Sequence, residues 1–201
     1  MPNLLYYCVL DFEATCWEGE RRPTQEIIEF PSVLIRVDTF RRSLTQIGEF
    51  HQYVRPVIHP ELSEFCTSLT GITQDQVSSA KPIEEVYEEH HRWLQSNVEE
   101  GAPCHIVTCG NWDLATMLPM EIANKGLHRR HVYSHFINIK YEFERFYHRR
   151  VGSMPQMLEK CGLELQGRHH SGIDDTRNIS RVLLKMLEDG YSDPRVQKVK
   201  R

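Results

Sequence analysis

Asp11 and Glu13 close an apolar run, Y-Y-C-V-L, and stand two positions apart, while Asp113, His170 and Asp175 lie far along the chain. Side chains at i and i+2 of a strand share a face. The run Tyr6–Leu10 reads as a strand buried on both faces, so Asp11 and Glu13 project together from a core strand. An unpaired carboxylate is costly to bury there, and a positive partner is required. Hard oxygen ligands without a cysteine among them suit Mg²⁺ or Mn²⁺ rather than zinc. Carboxylates alone hold two such ions about 3.5–4 Å apart, the separation used in phosphodiester hydrolysis. One ion then helps form the hydroxide nucleophile and the other stabilises the leaving 3′ oxygen. His170, five residues before Asp175 in a glycine-flanked loop, is placed to take a proton from the attacking water near pH 7. Each residue alone has an ordinary explanation: a turn aspartate, a carboxylate favoured in a helix's first turn, a solvated histidine. Their matching contexts, at strand ends and helix starts where α/β sites converge, favour the joint reading.

The elements that must position these groups follow from pattern. After Cys16 a polar stretch, Glu18 to Gln25, reads as a loop. Glu26 to Asp38 is a second β-rich segment interrupted at Pro31, which favours a strand edge or bulge there. A turn at Arg41 to Leu44 leads to a third β segment through Ile47, Phe50, Tyr53 and Val54, so the first three strands form an antiparallel meander. The pattern then turns helical: a helix starting at Pro60-Glu61-Leu62, a capping box at Thr73 and Gln76, and an amphipathic helix over Pro82 to Val98 that includes His90. Cys104 to Cys109 is a fourth strand, followed by a helix from an Asn111 N-cap to about Lys125. Phe136–Ile139 is a fifth short strand. Helices then cover Tyr141 to His148, Ser153 to Cys161 with Gly162 as C-cap, and Asp174 to about Glu188, reached through the loop Gly167 to Gly172. With no internal repeat and no linker, one domain over residues 1–201 is expected, its core at about 4–189 and a C-terminal tail at 190–201.

The 201 residues are 40% hydrophobic and 26% charged, enough to bury a substantial core. No apolar run approaches the roughly 20 residues of a membrane helix, and no secretory signal is visible. The 6 cysteines lack C-x-x-C pairing, which favours reduced thiols of an intracellular protein, cytoplasmic or nuclear. A net charge of −4 argues against holding nucleic acid mainly by a basic surface, though site charge can come from bound metal.

D-x-E on the first strand, an Asp after the fourth and H-x-x-x-x-D at the last helix resemble the DEDDh exonuclease pattern. Within it, D-F-E-A-T-C-W, E-I-I-E-F-P, L-T-G-I-T-Q-D-Q-V, G-N-W-D-L and H-S-G-I-D-D-T-R-N-I are similar to the Eri-type 3′→5′ exoribonucleases, over about Leu4–Leu187. The resemblance implies an α/β, RNase H-like fold: a mixed five-stranded sheet, antiparallel in its first three strands and then parallel, flanked by helices. It implies a 3′→5′ exonuclease releasing nucleoside 5′-monophosphates from RNA with a single-stranded 3′ end or overhang. Asp11, Glu13, Asp113 and Asp175 would hold two Mg²⁺ or Mn²⁺ ions, with His170 as general base and Glu13 also facing the nucleotide. Ala14 and Thr15 would meet the terminal nucleotide through backbone groups, and Leu69, Thr70 and Trp112 would wall base and sugar. Ordinary core packing is the alternative for Leu69, and burial alone for Trp112. Some relatives carry an N-terminal SAP domain; with D-x-E at residue 11, the nuclease domain alone is expected. The basic stretch His128 to Arg150 reads equally as a track for the phosphate backbone or as a solvated face. Two competing functions remain: a DNA-preferring DEDDh nuclease, and an inactive nuclease fold kept for RNA binding or interaction.

Overall fold

The computed structural model describes residues 3–19 and 24–199. The loop expected over 18–25 therefore lies partly outside the described residues. Strand β1 (Leu4–Leu10) is the centre of the fold, with β3 (Ile27–Asp38) antiparallel to it and β5 (Cys104–Thr108) parallel to it. On the far side of β3 runs β4 (Ser43–Tyr53), antiparallel; beyond β5 lies β6 (His135–Asn138), parallel. This is the expected mixed five-stranded sheet. Two strands of 2 residues each extend it, β2 (Glu13–Ala14) beside β3 and β7 (Gln197–Lys198) beside β6.

Alternation explains why β1 is apolar throughout. Tyr6, Cys8 and Leu10 enter one core with Phe30, Leu34 and Phe50, and Tyr7 and Val9 enter the other with Val33, Ile35, Val107 and Ile137. The first face is covered by α3 (Ile83–Asn97) and by α4 (Leu118–Lys125), through Val86, Tyr87 and Leu118. The second is covered by α5 (Ile139–Tyr147), α6 (Met154–Cys161) and α7 (Gly172–Glu188), through Phe143, Met157, Ile179 and Leu183. The short helices α1 (Glu64–Thr70) and α2 (Gln74–Ser78) close a smaller cluster of Ile28, Cys66, Ile72 and Val77.

The capping box at Thr73 and Gln76 forms as expected, and Gly162 ends α6 in the left-handed region at φ 68°. Two expected helix starts move. The first helix begins at Glu64, not Pro60, because the Ser63 side chain caps it while Gln74 holds the Pro60 carbonyl and the Leu62 amide. Asn111 does not cap with its side chain: its Oδ1 accepts a hydrogen bond from Asn138, and the chain is already helical at Trp112. Pro31 does not end its strand. It pairs with His51 inside β3, opposite the break between β1 and β2, where no ladder partner needs its missing N–H. The register of β3 shifts instead against β4 between Leu34 and Ile35, and against β2 between Glu13 and Ala14. Beyond α7, Tyr191 and Val199 are buried. No helix of the described residues is long and apolar enough to cross a membrane.

Candidate active site

The break between β1 and β2 makes the site. At Asp11–Phe12 the strand leaves the ladder, and the freed Phe12 amide donates to Asp113 Oδ1 at 2.9 Å. Pairing resumes with Glu13 directly opposite Glu29. Asp113 opens a π-type turn in which the Leu118 N–H bonds the Asp113 carbonyl, five residues back, before α4 begins. Such wide turns recur at functional sites because they re-aim a side chain. Asp175 lies in the first turn of α7, and its amide closes that turn on Ser171.

The start of α7 approaches β1 very closely. A Cβ on Gly172 would sit 2.9 Å from the Asp11 carbonyl oxygen and 2.9 Å from Glu29 Oε2, so only glycine fits. The buried Glu29 carboxylate accepts the Gly172 and Ile173 amides at 3.0 and 3.1 Å, satisfying two of the helix's orphan donors. His51 Nε2 lies 2.8 Å from Oε1, the oxygen that also accepts the Ile173 amide. Sequence reading had not singled out Glu29. Its signal was weak: an acid inside an apolar strand segment that ends up facing Glu13.

Ligand atoms of Asp11, Glu13 and Asp175 fall within 4.8 Å of one another. Burial pushes the Asp11 carboxyl well above its ordinary range, and Asp113, Glu13, Asp175 and Glu29 push it further. Glu13 rises to about 9, through burial first and then Glu29 and Asp175. Asp113 rises to about 6 through burial, held back by the Phe12 amide, its own amide and Lys140. Among the described residues no lysine or arginine pairs with Asp11, Glu13 or Asp113. Among the described residues the site concentrates acid, with only Lys140 acting at a distance on Asp113 and His169 beside Asp175.

His170 stands beside it, exposed, with its backbone in the left-handed region at φ 65°. That conformation costs a non-glycine residue energy and persists only where surroundings enforce it. Here the Asp175 Oδ2 accepts the His170 amide at 2.9 Å, and Asp174 Oδ2 accepts the Arg168 amide at 2.9 Å. The Arg168 guanidinium reaches across to the Ser68 and Leu69 carbonyls at the end of α1. Partial burial and His169 depress the His170 pKa, which keeps the ring neutral. His169, another residue the sequence reading passed over, places Nδ1 3.1 and 3.2 Å from the two Asp175 oxygens. Its ring stacks on His170 at 4.0 Å and 20°.

The expected nucleotide contacts are placed unevenly. Trp112, 39% exposed, stands at the start of the Asp113 turn, and Leu69 is half-buried. Thr70 is buried with its hydroxyl bonded within its own helix end, to the Cys66 carbonyl and the Ile72 amide. Thr15 has its amide on the Glu26 carbonyl, its carbonyl on Gln25 and its hydroxyl on the Glu26 amide. The Ala14 carbonyl meets the Cys66 thiol at 3.7 Å.

The sequence model of the exonuclease family RNase_T matches residues 8–183. The chain is similar to 3′-5′ exoribonuclease 1 of Mus musculus, 41% identical over 190 residues, covering 92% of this chain and 54% of that protein. It is also similar to ERI1 exoribonuclease 2 of Xenopus laevis, 35% identical over 201 residues, covering 92% of this chain and 29% of that protein. The chain thus spans about half or less of the length of these relatives. Among solved structures it matches the nuclease domain of 3′hExo, a DEDDh family member bound to rAMP, with a TM-score of 0.86 and 37% identity over 97% of each chain. The chain therefore belongs to the RNase_T exonuclease family and has its RNase H-like fold.

Proposed function

We propose that this chain is a metal-dependent 3′→5′ exoribonuclease that removes nucleoside 5′-monophosphates from RNA ends. One observation carries the proposal: Asp11, Glu13 and Asp175 gather within 4.8 Å, all three raised in pKa by burial and Asp11 and Glu13 further by the neighbouring carboxylates, with Asp113 beside them. All-oxygen donors of this kind fit Mg²⁺ or Mn²⁺. Two such ions would supply Lewis acidity toward the attacking water and the leaving 3′ oxygen. Asp11, Glu13, Asp113 and Asp175 would hold them. His170, kept neutral and aimed by the Asp175–amide bond, would take the proton of the attacking water at an imidazole nitrogen. Trp112 would stack on a base, an interaction worth about 1–3 kcal/mol, and Leu69 would pack on the sugar. The backbone near Glu13 and Ala14 would meet the terminal nucleotide. Thr15 and Thr70 would keep that wall in shape, since their polar groups are already engaged.

The substrate class follows from the relatives, which are named exoribonucleases. We read the chain as one nuclease domain. All 6 cysteines are free, which fits a reducing compartment such as cytoplasm or nucleus. Labelled RNA and DNA of matched sequence, with single-stranded and recessed 3′ ends, test the proposal in Mg²⁺, Mn²⁺ or EDTA. Mononucleotides should appear with either ion, faster from RNA, and not in EDTA. Oligonucleotide products would exclude an exonuclease. Equal or faster DNA cleavage would favour the DNA-preferring reading, and tight RNA binding without turnover would favour a binding module.

A further inference from the structure

We propose that His169, His170 and Asp175 form a Zn²⁺ site that overlaps the catalytic centre and silences it when filled. One ligand atom from each of the three lies within 4.8 Å of the other two. His169 Nδ1 already points at the Asp175 carboxylate, 3.1 and 3.2 Å from its oxygens. The His170 ring lies parallel to His169 at 4.0 Å and is exposed, so it can tip toward the shared position without disturbing the core. Zinc–nitrogen and zinc–oxygen bonds of about 2.0–2.2 Å in a tetrahedron place neighbouring donors about 3.3 Å apart. The His169–Asp175 pair is already at that separation, and His170 closes the rest by tipping in from within 4.8 Å.

Donor chemistry chooses the ion. Two imidazoles and a carboxylate favour zinc over magnesium, which prefers oxygen alone. Three protein ligands leave a fourth tetrahedral position for water. The backbone that carries the donors is anchored before any ion arrives, by Asp175 on the His170 amide, Asp174 on the Arg168 amide, and the Arg168 guanidinium on Ser68 and Leu69. The silencing half rests on the proposed function, because zinc would withdraw both the general base and a ligand of the Mg²⁺ pair.

The binding half is tested without turnover, by equilibrium dialysis of Zn²⁺ against the whole chain in excess Mg²⁺. His169→Gln and His169→Phe, the latter keeping the stack on His170, are compared with wild type, with circular dichroism confirming the fold. One zinc should be retained per wild-type chain, with affinity falling about 10–100-fold in both variants, at least the loss typical of a disturbed outer-shell partner. The zinc concentration that halves RNA cleavage in Mg²⁺ should rise by the same factor. Unchanged zinc affinity in both variants, or release of zinc from wild type by Mg²⁺, would overturn the site. If no form cleaves RNA, the proposed function fails, while dialysis still decides whether the site exists.

Discussion

At the scale of single residues, charge repulsion at the end of β1 is the central fact. Glu13 faces Glu29 directly across the ladder, a like-charge pair that sheets normally avoid. Glu29 is relieved by the α7 amides; among the described residues no amide or cation pairs with the Asp11 or Glu13 carboxylate in that way. Asp11→Asn should therefore leave the metal-free protein equally stable or raise its melting temperature, since a repelling buried charge is removed. The same substitution should lower mononucleotide release at least about a hundredfold, as expected when transition-state charge loses several kcal/mol of stabilisation. Thermal melting and end-labelled RNA digestion check the two halves. A variant that melts much lower, or that keeps full activity, contradicts the reading. His170→Ala should cost about 10²–10⁴-fold in turnover, the range for a lost general base, with Mg²⁺ binding unchanged by titration calorimetry.

At the scale of elements, the His170 segment is a short loop held at three points. Its backbone is tied to Asp174 and Asp175, and its Arg168 side chain spans to the end of α1. Gly71, at φ 78°, leaves the room the guanidinium occupies; a Cβ there would collide with it. Under the proposed function Arg168 is a positioning residue, tying the His170 segment to the end of α1 beside Leu69. Arg168→Ala should lower kcat about tenfold, less than the roughly hundredfold that a 1 Å misplacement of a catalytic group can cost. Mg²⁺ affinity should not change, because none of Asp11, Glu13, Asp113 and Asp175 moves with the guanidinium. A fall confined to KM would place Arg168 in substrate binding instead. The elements themselves were largely legible, because α3, α6 and α7 show clear helical period and β1 a run of β-formers. The break at Asp11–Phe12 was not legible, since the amide it frees finds its partner, Asp113, far along the chain.

At the scale of the whole molecule, His90 ties the sheet to its first helical layer. Fully buried on α3, it lies 2.8 Å from Ser32 Oγ and 2.6 Å from the Tyr133 hydroxyl, with its ring against Phe30. Burial lowers its pKa to about 3, with His91 adding to the effect. Stability from the neutral ring is complete above the unfolded value near 6.5 and is lost as pH falls from there toward about 3. Between pH 7 and 5 this one group should cost about 2 kcal/mol. Urea unfolding at both values measures it. In His90→Gln, which keeps a donor and an acceptor but does not titrate there, that share of the pH dependence should vanish. If wild type and variant lose the same stability on acidification, His90 is not the acid-sensitive contact.

The sequence by itself determined the hydrophobic alternation of β1, the order of strands and helices, and the chemical types gathered at Asp11, Glu13, Asp113, His170 and Asp175. These are local properties: side-chain period, turn chemistry and ligand hardness need only neighbouring residues. Tertiary structure alone decided that Glu29 faces Glu13 and caps α7, and that Asn138 draws Asn111 away from helix capping. It also decided that Thr15 and Thr70 spend their polar groups within the fold, and that His169 reaches Asp175. Each of these turns on which of several possible partners a polar group finds. That choice is made when distant strands and helices pack and bury the group, because only then does an unmade hydrogen bond carry its full cost.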